Sequence, residues 1–162
     1  MPQVSFERLP DDARLWIFGA SDALNGDASE ALLRLVDEYL ARWQAHGEPL
    51  TCGRDWRDGR FLAIGVDQRA AGASGCSIDA LYRSLQQLER ALGTSLLAGG
   101  RVFYRDAAGQ VQCVDRATYA ARARDGRIGS DTPVFDTTLT NAGDYRARFE
   151  RPASSSWHAQ LT

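Results

Sequence analysis

RFLAIGVDQRAAGASGCSIDALYRSLQQLERALG, Arg60 to Gly93, is the stretch on which the fold turns. It opens with an apolar run, Arg60 to Asp67, of strand length. It closes with Ile78, Leu81, Leu85, Leu88 and Leu92 at intervals of three and four, the stripe of an amphipathic helix, and Gly93 supplies the stop. Between them lie Gly72, Ser74, Gly75, Cys76 and Ser77, small residues that let a strand hand over to a helix.

Working outward, Arg14 to Ala20 (RLWIFGA) reads as an aromatic, branched strand. Asp27 and Glu30 have the spacing of a helix-opening capping box. Leu32, Leu33, Val36, Tyr39, Leu40 and Trp43 then form one apolar stripe, with Gly47 and Pro49 as the stop. Asp58-Gly59 marks a tight hairpin, which makes Arg60–Asp67 the central strand. Downstream, RVFYRDAAGQVQCVD is a second hairpin turning at Asp106 to Gly109, and RATYAARARDG is a short helix. TPVFDTTLT and YRARFERP read as further strands, and the tail ASSSWHAQLT as irregular. The order through residue 105 is β-α-β-β-α-β. The expected class is therefore α+β: an antiparallel sheet with two main helices on one face, in ferredoxin-like order, plus a C-terminal hairpin–helix extension. Residues 1–98 form the expected core, and residues 99–162 the extension, packed on it as one unit.

Composition removes many function classes. The chain has 162 residues, 44% of them apolar, which is enough for a buried core. A net charge of −2 argues against nucleic acid as a partner. No apolar run reaches the roughly 20 residues that span a bilayer, so no membrane insertion is expected. The opening MPQVSFERLPDD does not resemble a secretion signal, and a cytoplasmic protein with reduced Cys52, Cys76 and Cys113 is the expectation. All nineteen basic residues are arginine. Without lysine there is no P-loop, no pyridoxal phosphate attachment and no Schiff-base chemistry.

The junction at Gly72–Ser77 is the candidate site. The first amides of a helix lack internal partners and sit at the positive end of its dipole. Glycines open the backbone there, and Ser74 and Ser77 add hydroxyls, so a small anionic ligand could be cradled. Cys76 in the same place is a candidate nucleophile. The plain alternative is that Ser77, or Cys76, is simply the N-cap. Arg54, Arg57 and Arg69 are the candidate sources of positive charge.

The only histidines are His46 and His158, so a cysteine–histidine mechanism must draw on one of them. His46, three residues after Trp43, reads as a helix C-terminal residue or a possible base. His158 follows Trp157, and the two could fold back as a lid over the loop, with Trp157 contacting ligand. No C-x-x-C or H-x-x-x-H spacing occurs, so neither a metal site nor any other cofactor is expected.

WQAHG, AGASGCSID, GRIGSDTPVFD and PASSSWHA, in that order, resemble a family of short bacterial proteins often labelled ABC transporter ATPases. That label implies ATP hydrolysis. The chain has neither a Walker A lysine nor an L-S-G-G-Q signature, and no ATPase activity is expected of it. Val102 to Asp136 is similar to GYF-related adaptor domains: aromatic strand, turn, strand, short helix, then G-R-I-x-x-D-T-x-V. This resemblance implies binding of a peptide or protein partner without catalysis. Three readings stand: binding of a small anionic ligand or partner at the glycine-rich loop, a thiol-dependent enzyme using Cys76, and a non-catalytic protein–protein interaction module acting through the C-terminal part.

Overall fold

A computed structural model describes residues 3–69 and 71–162. Met1 and Pro2, which head the stretch judged unlike a secretion signal, lie outside the described residues. The chain is mixed α/β with antiparallel sheets and divides into two compact units, Met1–Leu97 with Leu139–Tyr145, and Ala98–Thr138 with Arg146–Thr162.

In the first unit, β1 (Arg14–Gly19), β4 (Cys52–Arg57) and β5 (Phe61–Val66) form an antiparallel sheet in the order β1-β5-β4. β5 is central and all six of its residues are buried, as its unbroken apolar run requires. Phe18, Leu62, Ile64 and Val66 share one face with the stripes of α1 (Gly26–Leu40) and α2 (Gly75–Leu92), namely Leu32, Val36, Leu40 and Leu81, Leu85, Leu88. The opposite face receives the N-terminal segment. A Cβ at Gly53 would come within 2.7 Å of the Val4 carbonyl oxygen, so only glycine permits that approach.

The ferredoxin-like sheet is not what forms. The strand expected to complete it, β6 (Arg101–Arg105), belongs to a separate sheet in the second unit. Two local features account for this. After Gly93 leaves α2 in the left-handed conformation, the Glu89 carboxylate accepts the amides of Leu96 and Leu97 at 2.6 and 2.8 Å and turns the chain. The outer edge of β1 is also taken: Leu15 N–H donates to the Thr140 carbonyl, and Arg14 bridges Asn141.

Two boundaries differ from expectation. α1 is capped by Asn25, whose side chain accepts the Ala28 amide at 2.8 Å, while Asp27 lies in the first turn. It also ends at Leu40, because the chain turns there to bury Trp43 and forms a small hairpin, β2 (Gln44–Ala45) and β3 (Glu48–Pro49), closed by Leu50 N–H on the Trp43 carbonyl.

In the second unit, β6, β7 (Val111–Asp115), β8 (Pro133–Phe135) and β9 (Glu150–Pro152) form an antiparallel sheet in the order β7-β6-β8-β9. α3 (Arg116–Arg124) places Tyr119 in a core with Val102, Tyr104, Ile128, Val134 and Ala153. Tyr145 to Arg148, expected as strand, belong to α4 (Ala142–Arg148), and the tail is ordered as 3₁₀ turns over Ala153–Ser155 and Trp157–Leu161. Among the described residues no helix is long and apolar enough to cross a membrane.

Candidate functional site

The glycine-rich junction folds as a self-contained helix start. The N-cap is Ser74, one turn earlier than the expected Ser77 or Cys76. The Ser74 hydroxyl oxygen accepts the Ser77 amide at 3.1 Å, and the Ser77 hydroxyl oxygen accepts the Ser74 amide at 2.8 Å. The Ser77 hydroxyl in turn donates to the Ser74 carbonyl at 2.8 Å. Both serine side chains are thereby consumed by the cap. What the junction still presents is the first-turn backbone at Gly75 and Cys76, both exposed, with nothing within 4 Å of the position a Cβ on Gly75 would take. Gly72 is exposed on the approach.

The charge expected to complete an anion cradle is committed elsewhere. Arg54 makes a bidentate pair with Asp37, with contacts of 2.9 and 2.9 Å, and Gln3 donates to the same carboxylate. The Arg54 hydrogen bond holds the Asp37 carboxyl below its ordinary range. Arg69 pairs with Asp67 at 2.8 Å. Arg57 also has an interaction partner.

Of the sequence-predicted catalytic groups, Cys76 and His46 belong to the first unit and His158 to the second. Cys76 is an exposed free thiol, Cys113 is half-exposed, and Cys52 is buried. Burial pushes the Cys52 thiol up to about 12. His46 is not on a helix: it is an exposed residue of the β2–β3 turn, with φ +52°, followed by Gly47 at φ +79°. That Asn-Gly-like geometry is turn chemistry, which the spacing from Trp43 concealed. His158 lies in the second unit with 0% exposure. Its Nδ1 shares a 2.8 Å hydrogen bond with Ser156 Oγ, its ring stacks on Trp157 at 4.1 Å, and it packs against Tyr119 at 5.8 Å. Desolvation lowers the His158 pKa to about 4. Trp157, expected as part of a lid, is half-buried, with the Arg116 guanidinium 5.5 Å from its ring centre. Among the described residues no group of three His, Cys, Asp or Glu side chains is placed to hold a metal.

Sequence reasoning missed a cavity in the second unit. It has a volume of about 260 Å³ and is lined by Ile128, Ala153 and Ala159 with small neighbours, among them Ser130 and Ser154. Its wall is fixed where the Ser154 amide donates to the Ser130 carbonyl at 3.0 Å. The signal lay in the small residues of IGS and ASSSWHA, which read as loop because nothing in their spacing ties one segment to the other.

The architecture defines a mixed α/β protein of two antiparallel-sheet units. Comparison with protein-family models, curated proteins and solved structures finds no match.

Proposed function

We propose that the protein is a non-catalytic interaction module that works through its second unit and receives an apolar side chain of a protein partner in the cavity at Ile128, Ala153 and Ala159. The observation that carries this reading is the cavity itself. At about 260 Å³ it is smaller than the about 300–1,000 Å³ usual for small-molecule sites. Its lining is mainly small and apolar, which suits one buried anchor residue of a partner. The resemblance of Val102–Asp136 to GYF-related adaptor domains supports the same reading, and no ATPase activity belongs to it. The burial of His158, whose Nδ1 is engaged by Ser156, weighs against its serving as the base of the thiol-dependent alternative.

The test is affinity capture by the full chain. A stoichiometric protein retained by wild type and by Cys76→Ser, but lost by Ala159→Trp, is the expected result. Ala159 is exposed, so the larger side chain fills the cavity without entering the core. Equal capture by Ala159→Trp would remove the cavity from the reading. Loss of cellular function in Cys76→Ser at unchanged stability would restore the thiol-dependent enzyme.

The exposed first-turn backbone at Gly75 and Cys76 favours one second reading, a small anion bound at the start of α2. Its support is confined to those backbone groups and the open space above Gly75.

A further inference from the structure

The four lateral edges of the two larger sheets are finished differently. In the first unit β1 is covered by Thr140 and Asn141, and β4 by the N-terminal segment, where Val4 N–H donates to the Cys52 carbonyl at 2.8 Å. In the second unit β9 has three residues and ends in Pro152, which blunts it. β7 is the exception. It has five residues, VQCVD, pairs only with β6, and contains no proline or glycine.

The hydrogen-bond phase of the hairpin identifies which groups of β7 face outward. Asp106 N–H donates to the Gln110 carbonyl at 2.9 Å, which sets the first bonded pair. Bonded and non-bonded pairs alternate from there along the register Arg105↔Val111, Tyr104↔Gln112, Phe103↔Cys113. Gln112 and Val114 therefore bond to β6, and Val111 and Cys113 turn their N–H and C=O groups away from it. No described residue bonds those outward groups, and both residues are half-exposed.

We infer that this edge pairs with the same edge of a second copy of the chain, β7 against β7 antiparallel, to form a two-fold dimer with one continuous sheet. Only odd-numbered residues can supply bonded pairs on this side. The register that aligns all five residues centres on Cys113. It sets Cys113 opposite Cys113 of the partner subunit, where each N–H meets a carbonyl. It also sets Val111 opposite Asp115 of the partner subunit, where only the Asp115 N–H of the partner subunit is left to bond, because that residue's carbonyl, at the N-cap of α3, serves the helix. Asp115 is the only charged residue of β7, so no like charges meet across the axis. An isologous contact of this kind closes on itself and leaves only the short β9 strands at the outer edges.

Sedimentation of the full chain over a concentration series tests the inference. The expected result is a dimer at micromolar concentration. Cys113→Pro removes the central outward N–H of each copy, two bonds per dimer, leaves the β6 ladder intact, and should weaken the dimer at least about tenfold. A short bis-maleimide should link Cys113 to Cys113 of the partner subunit in a Cys76→Ser background, which reads the register even if the proline variant fails to fold. Ala159→Trp should dimerise normally, which separates this surface from the cavity. A wild-type chain that stays monomeric at hundreds of micromolar overturns the inference. So does a dimer that Cys113→Pro leaves intact, or one in which Cys113 of the otherwise wild-type strand does not cross-link.

Discussion

Trp43 Nε1 donates a buried hydrogen bond of 2.9 Å to the carbonyl of Ser77. The ring that ends the α1 segment thus holds the first turn of α2, across 34 residues of sequence. Trp43→Phe keeps most of the apolar contact and deletes the donor. It should cost about 1 kcal/mol, the net contribution of one such bond, because the Ser77 carbonyl keeps its helical partner, the Leu81 amide. A lower urea midpoint at unchanged slope is the measurement, and an unchanged midpoint would show the bond to be dispensable.

The Ser74–Ser77 box predicts a graded series. Ser74→Ala should destabilise by about 1 kcal/mol, and Ser74→Gly by only a few tenths. Cys76→Ser, exposed and outside the box, should fall within about 0.5 kcal/mol of wild type. If Ser74→Ala were as neutral as Cys76→Ser, the reciprocal bonds would contribute nothing to stability.

What was legible in the sequence depended on local repetition. The leucine stripe of α2 and the unbroken apolar run of β5 are short-range patterns, and both elements stand where expected. The ferredoxin-like order failed because strand order is decided by what occupies an edge. Thr140 and Asn141, far along the chain, occupy the edge of β1. His46 failed for a related reason: three-residue spacing from Trp43 fits a helix and also a turn followed by a hairpin. Burial of Trp43 under α2 selected the latter. At the candidate site the glycines and serines were read correctly as a helix start. Which serine capped it depended on a reciprocal pair that either phase of the pattern would allow.

Cysteine labelling separates the readings of that helix start. Cys76 should be the first thiol alkylated at pH 8, because it is exposed. Cys52, fully buried and with its thiol pushed up to about 12, should react only on unfolding. Millimolar phosphate should slow alkylation of Cys76 if an anion sits over the first-turn backbone. An unchanged rate, followed by mass spectrometry of the labelled peptide, would dispose of the anion reading.

His158 gives the fold a defined acid sensitivity. Burial lowers its pKa from 6.5 to about 4, with Asp136 opposing the shift and Arg151 reinforcing it. The folded state therefore binds fewer protons than the unfolded chain between those values. Its stabilising contribution is complete above pH 6.5, declines as pH falls towards 4, and is lost below that. The size is on the order of 3 kcal/mol. His158→Phe keeps a ring against Tyr119 and Trp157 without a titrating group, so it should flatten unfolding free energy against pH over this window. Loss of near-ultraviolet signal from Trp157, the stacked neighbour of His158, should track the same window in wild type. A pH profile as steep in the variant as in wild type would assign the acid transition to other groups, the Arg54-paired carboxylate of Asp37 first among them.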